Sequence, residues 1–328
     1  MGGRHSDLPQ LQGRLFLTDG GLGTTIIFHD HLELPGFASF LLLAQAQGRA
    51  ALAHYYASYA ELALTHDTGL VLDSPTWRAN HDWGKTLGYD AQALSKANTQ
   101  GIALLQEIRE RYETVRNPIV IGGNVGPRGD GYCPCRRMIA RESADYHRMQ
   151  IETLVDTGTD MISALTMNYA QEAIGIALAA RSCSIPVVIS YTVETDGRLP
   201  SGEPLTDAIA RTDDCTDGYP AYYMINCAHP QHFEKMLRDA DDCRERIRGL
   251  RANASCRSHA ELDNCQELDA GNPEELGRAH RPLLPLLPRL AVVGGCCGTD
   301  PQHVDAIYRH CTHEGSSDAD HRSAASKA

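Results

Sequence analysis

Short runs of apolar and β-branched residues recur along the chain, and between them lie longer stretches whose apolar residues fall at helical spacing. "RLFLT" (Arg14 to Thr18) is the first run, followed by an apolar-periodic segment from Ser39 to His66. "GLVLDSPT" ends at Thr76, and Ala91 to Tyr112 reads as helix. "PIVIGGNVG" starts at Pro118 and precedes a Gly/Pro-rich loop and a helix from Ser143 to Asp156. "DMISALTM" starts at Asp160, with an alanine-rich helix from Ala170 to Arg181, and "PVVISYTVE" starts at Pro186, with a short helix from Pro204. "AYYMINCAHP" from Ala221 precedes a helix over Gln231 to Asp241. "IRGLRANAS" from Ile247 precedes one over Glu274 to His280 that Pro282, Pro285 and Pro288 interrupt. "LAVVGGCCG" from Leu290 is the last run, and the closing helix takes Asp300 as its N-cap and Pro301 as its first residue.

Eight strand signals alternating with helices predict an α/β fold of the (β/α)8 TIM barrel type. A doubly wound sheet would want a glycine-rich phosphate loop after the first strand, and "DGGLGTT" lacks the G-x-G-x-x-G spacing. The barrel is expected to fill residues 1–311 as one domain, with the polar stretch 312–328 as a disordered tail.

Composition narrows the class. The 328 residues are 42% hydrophobic and 22% charged, as expected of a globular chain with a large core. A net charge of −12 excludes nucleic acid as a partner, because neutralising phosphates needs a basic surface. No secretory signal opens the chain and no run is long enough to span a membrane, so a cytoplasmic location is expected. There the 11 cysteines, odd in number, should be reduced rather than form a disulfide framework.

Three of those cysteines carry candidate chemistry. Cys227 in "MINCAHP" and the pair Cys296 and Cys297 in "GGCCGT" fall at the ends of strands six and eight, and a barrel brings such ends to one face. Adjacent strand residues point to opposite faces, so packing explains an adjacent pair between glycines poorly. Three thiolates make an all-cysteine site for one Zn2+ whose fourth position stays open, the arrangement of a catalytic rather than a structural zinc. Cys133, Cys135, Cys183, Cys215, Cys243, Cys256, Cys265 and Cys311 read as bland small residues, and "CPC" is too tightly spaced for the usual zinc motif. His29 and His31 read as exposed loop residues and His229 as a pocket residue.

"LTDGGLGT" at the first strand, "INCAHP" at the sixth and "GGCCGT" at the eighth resemble the signatures of the zinc-dependent homocysteine S-methyltransferases. That family includes the S-methylmethionine-dependent and betaine-dependent enzymes. The likeness runs from about Leu15 to Cys311 and takes in "SYTVETDGRLPSGEPL" at the fifth strand. It implies a barrel whose zinc is held by Cys227, Cys296 and Cys297, the substrate thiol completing the tetrahedron, and methyl transfer that forms methionine. It also implies that Asp19, Gly20 and Gly21 hold the amino-acid part of homocysteine. Asn226 either orients Cys227 and the substrate or serves as a turn residue.

The family commonly has a glutamate at the end of the fourth strand to bind the substrate ammonium, and here Leu165 and Thr166 stand instead. Glu194 is the nearest acid at a strand end and is expected to supply that charge. The departure leaves another small thiol or selenol open as acceptor. For the methyl donor, the compact length and the lack of a D-x-H-x-x-G corrinoid signature favour S-methylmethionine or S-adenosylmethionine over methylcobalamin. Trp77, Trp83, Tyr191 and Tyr222 offer aromatic faces to such a cation, although packing is the commoner role of each. The expected partners are these small molecules, and a barrel of this size is compatible with a homo-oligomer. The alternative functions are a zinc hydrolase and a non-catalytic thiol-binding or zinc-binding subunit.

Overall fold

A computed structural model describes residues 8–240, 243–263 and 267–312. Cys265 and all of the expected tail except Thr312 lie outside the described residues. Thr312 itself still belongs to the helix Pro301–Thr312.

Eight parallel strands close into a barrel in chain order: β1 (Phe16–Thr18), β2 (Leu70–Asp73), β3 (Ile119–Val125), β4 (Met161–Met167), β5 (Val187–Tyr191), β6 (Tyr222–Ala228), β7 (Ile247–Ala252) and β8 (Val292–Gly295). The register β1 to β8, Phe16 with Val292 and Leu17 with Val293, closes the ring. Alternation along each strand sorts the side chains. Leu17, Leu70, Ile121, Ile162, Ile189 and Val293 pack outward in one core with the helices, while Phe16, Val71, Val120, Val188, Tyr222 and Val292 form an inner cluster. Leu8 joins that inner cluster, and Gln10 Nε2 donates to Tyr222 Oη at 3.2 Å, so the segment before β1 plugs the N-terminal end.

Nearer the C-terminal ends of six of the strands the inward positions turn polar: Thr18, Asp73, Ser163, Ser190, Asn226 and Arg251 are all buried there. An apolar floor under a polar layer is what places a reaction site at the C-terminal face.

Helix boundaries depart from the sequence pattern where 3-10 turns intervene. The segment expected as helix from Ser39 is a 3-10 turn over Ser39–Ala44, and the α-helix runs Ala46–Thr65. Pro285 likewise leaves Arg281–Leu286 as 3-10 after the helix Pro273–His280. Two helices were hidden in loop-like sequence, His81–Leu87 and His259–Asp263. Asp300 caps as expected, its Oδ1 accepting from the N–H groups of Gln302 and His303. Among the described residues no helix is long and apolar enough to cross a membrane.

Candidate metal centre

Strict alternation would turn Asn226 into the barrel and Cys227 out of it. The strand breaks that rule: the β6–β7 register shifts between Asn226 and Ala228, and Cys227 takes φ 54°. Thr166 does the same in β4, with φ 63° and a register shift between Ala164 and Met167. Non-glycine residues in this left-handed region cost about 1–2 kcal/mol each and persist only where the surroundings fix them. Asn226 fixes both strand ends. Its Oδ1 accepts from Thr166 N at 3.0 Å and Ser190 Oγ at 2.6 Å, and its Nδ2 donates to Thr166 Oγ1 at 2.9 Å. Its polar atoms are thus engaged in tying β4, β5 and β6 together.

The second half of the site is the turn after β8. Cys296 N donates to Ala252 O at 2.7 Å, Ala254 N donates to Cys297 O at 3.0 Å, and Thr299 Oγ1 donates to Cys296 O at 2.7 Å. Gly21 is required where β1 meets this turn, since a Cβ there would lie 2.7 Å from Cys296 O. Its N–H donates to Thr299 O at 3.0 Å. Gly20 is equally confined, with a Cβ position 2.9 Å from Thr299 O. The two glycines therefore seat the cysteine turn.

Together these turns bring Cys227, Cys296 and Cys297 to one point, with their sulfur atoms all within 4.8 Å of one another. Cys227 is buried and Cys297 reaches solvent. Sulfur ligands about 2.3 Å from a tetrahedral zinc lie about 3.8 Å apart, so the donor set fits such an ion by number, chemistry and spacing. The Cys227 and Cys296 sulfurs are in bonding contact, with Cα atoms 5.4 Å apart, and would separate to admit a metal. An oxidised pair and a bound metal thus exclude one another.

Beneath the cysteines lies a buried charge cluster that sequence reading missed. Arg251 in β7 donates from Nη2 to Asp19 Oδ1 and from Nη1 to Asp73 Oδ2, and its Nε reaches Gly295 O at 3.2 Å. All three side chains are buried. Burial opposes the charge on Arg251, but Asp19 and Asp73 outweigh it and hold the guanidinium protonated above its ordinary range. Burial pushes Asp73 up to about 6 although Arg251 pulls the other way. Asp19 also accepts from Thr18 Oγ1 at 2.9 Å and Tyr55 Oη at 3.0 Å. Its carboxylate is therefore held in place by three protein donors, Arg251, Thr18 and Tyr55. A charged residue in the apolar run "GLRANAS" was the available signal.

Glu194 does reach the site, through a partner. Its Oε1 lies 3.2 Å from His259 Nδ1, and His259 Nε2 lies 2.5 Å from Cys227 O. Tyr132 stacks on that imidazole with ring centroids 3.9 Å apart. Neither residue sits near a strand signal in sequence, which is why His259 and Tyr132 escaped notice. Leu165 is buried, and its carbonyl accepts from Trp77 Nε1 at 3.1 Å.

Other expectations separate cleanly. His29 and His31 are exposed. His229 caps the helix Pro230–Asp239 through Nδ1, and burial together with His232 and His280 pushes its pKa down to about 4, so it is neutral. Tyr222 points into the barrel floor, and Tyr191 packs outward with its hydroxyl on Thr212. Neither can receive a donor. Trp77 and Trp83 already hold a cation, the Arg78 guanidinium, at 4.5 and 3.8 Å from their rings. Cys133 and Cys135, expected to be bland, are exposed and their sulfurs are in bonding contact.

The family model described as homocysteine S-methyltransferase matches residues 16–311. The homocysteine S-methyltransferase of Escherichia coli K12 is 24% identical over 251 residues, covering 67% of this chain and 74% of that protein. Homocysteine S-methyltransferase 4 of Zea mays is 23% identical over 322 residues, covering 90% of this chain and 89% of that protein. In fold, the oxidised form of the homocysteine methyltransferase MmuM from Escherichia coli gives a TM-score of 0.71 at 18% identity over 90% of this chain and 95% of that one. Its metallated form gives 0.67 at 17% identity over 90% and 96%. Because the family match begins inside β1 and ends in the last helix, it spans every strand of the barrel, and the chain belongs to the homocysteine S-methyltransferase family.

Proposed function

We propose that methyl transfer to the homocysteine sulfur in this enzyme depends on one zinc ion held by Cys227, Cys296 and Cys297, with a small onium compound, S-methylmethionine or S-adenosylmethionine, as donor. The observation that carries the reading is the convergence of three sulfurs from two distant strand ends on one point. Bound there, zinc would keep the acceptor thiol, with an ordinary pKa of about 8.5, in its nucleophilic thiolate form.

The rest of the work falls to the chain. Asn226 and His259 hold the Cys227 backbone, Asn226 through the neighbouring strand ends and His259 through the Cys227 carbonyl. Leu165 and Met167 leave no acid at the end of β4, so the acceptor ammonium is assigned to Glu194, part-exposed at the same mouth. The aromatic faces of Trp77 and Trp83 are taken by Arg78, so donor recognition falls to other groups at the mouth, with the fixed acceptor sulfur setting the line of attack.

Elemental analysis of reduced protein is expected to find one zinc per chain. Methionine formation from homocysteine and S-methylmethionine should disappear on chelation and return with zinc plus a thiol reductant. Activity that survives removal of all metal would overturn the zinc reading. Full zinc without turnover by either donor would overturn the donor assignment. Glu194→Gln is expected to raise the homocysteine KM roughly tenfold, about 1.4 kcal/mol of binding, with little change in kcat. An unchanged KM would remove Glu194 from the acceptor site.

A further inference from the structure

A second pair of thiols sits away from the cysteine triangle, in the loop from β3 to the helix Ala140–Asp156. Cys133 and Cys135 have Cα atoms 5.6 Å apart, within the span of a disulfide, and their sulfurs are in bonding contact. The loop is held in place from several sides. Asp130 Oδ1 accepts from Tyr132 N at 2.8 Å and Cys133 N at 3.0 Å, and Asn168 Nδ2 donates to the carbonyls of Asp130 and Gly131, each at 2.9 Å. Both cysteines are exposed, so core packing does not account for them. Both also line a cavity of about 390 Å³, together with Trp83, Arg136, Asn168 and Tyr169, that includes none of the three clustered cysteines. Asn168, which holds the loop from beneath, is 1% exposed, and its Oδ1 is buried with no hydrogen-bond partner. Arg136 and Arg137 directly follow Cys135, and cations beside a thiol favour the thiolate that attacks disulfides.

We propose that Cys133 and Cys135 form a thiol–disulfide exchange centre that reduces the disulfide of a small amino-acid thiol seated in this cavity. One cysteine thiolate attacks the substrate disulfide, forming a mixed disulfide and releasing the first substrate half as a thiolate. The second cysteine loses its proton to solvent and attacks the mixed disulfide, releasing the second half. Two protein thiols are thereby oxidised to the Cys133–Cys135 disulfide while one substrate disulfide gains two electrons and becomes two thiols. A small thiol reductant restores the pair by the reverse exchange. Arg136 is placed to meet a substrate carboxylate and Asp130, an exposed acid of the same lining, a substrate ammonium, with Trp83 and Tyr169 as apolar walls. The choice of an amino-acid disulfide rests on the homocysteine acceptor reading, because the disulfide of that acceptor has no thiol to methylate. The exchange reaction itself does not depend on that reading.

The test uses the reduced full chain, freed of reductant and mixed with homocystine or with uncharged hydroxyethyl disulfide, with the products mapped by peptide mass spectrometry. The exposed Cys256 serves as an internal reference. The Cys133–Cys135 disulfide is expected to form at least about tenfold faster than a mixed disulfide on Cys256, and Cys133→Ser or Cys135→Ser should trap the mixed disulfide on the remaining partner. Homocystine should react several-fold faster than hydroxyethyl disulfide, and Arg136→Gln should erase that preference. Oxidation of the pair no faster than Cys256 would overturn the exchange centre. A fast pair with no preference for homocystine would overturn the amino-acid substrate. Neither result bears on methyl transfer, which is read separately.

Discussion

Cys297→Ala is expected to lose its bound zinc and its methionine formation together, with the fold intact. The loss should exceed the 10–100-fold that follows from disturbing a group that merely supports a ligand, because one of three direct donors is removed. The barrel should survive, since Cys297 reaches solvent and the contact it makes with Ala254 uses its backbone carbonyl, which alanine keeps. Thermal unfolding of the metal-free variant should match metal-free wild type to within about 1 kcal/mol, as for most exposed substitutions. Elemental analysis, an activity assay and a melting curve on the same sample separate these effects. Retention of a full zinc complement would show that the third sulfur is not a ligand.

Arg251→Leu should have the largest effect on stability. It leaves Asp19 and Asp73 buried, both acidic, with no cation between them. Removing one partner from a buried ion pair costs roughly 3–5 kcal/mol. For a chain of this size that is a fall in Tm on the order of 10 °C. A melting temperature within about 2 °C of wild type would refute the ion cluster. Asp73→Asn acts in the opposite sense. Asp73 titrates near 6 in the folded protein against 3.8 as an ordinary carboxyl, so the folded state binds its proton more tightly than the unfolded chain does. Its contribution to stability therefore falls as pH rises from about 4 to about 6 and is level above that. In metal-free protein, wild type should lose stability relative to Asp73→Asn across that window, by about 1–3 kcal/mol in total. Parallel curves for the two proteins would show that Asp73 does not carry this titration.

The barrel was legible because its strands are short, apolar runs with regular helical spacers, and every strand signal matched a strand. The cysteines were legible because an adjacent pair between glycines has no packing purpose. What could not be read was the backbone that aims them. A period of two assigns Cys227 to the outer face, and only the left-handed residue that breaks the strand turns its sulfur to the mouth. The surroundings of the "DGG" motif were hidden for a related reason. Its position at the end of β1 is right, but Asp19 is neutralised by Arg251, which lies 232 residues away in sequence. The pairing follows from closure of the ring and not from anything local. Tyr132 comes from a loop and His259 opens a short helix, both in stretches whose sequence carries no period at all.

The clasp that Asn226 makes across β4, β5 and β6 has a consequence for how the proposed metal would arrive and leave. Both left-handed residues, Thr166 and Cys227, are set by bonds among protein groups, so the direction of the Cys227 side chain is decided during folding. Once the Cys227–Cys296 pair is reduced, capturing an ion would require only rotation about side-chain torsions to part the two sulfurs. Such rotations take nanoseconds or less where the groups are free to turn, against microseconds to seconds for local unfolding. The gate to the proposed site would then be the redox state and rotamers of two side chains and not a folding step, so that the centre could be emptied and refilled while the barrel around it stays closed.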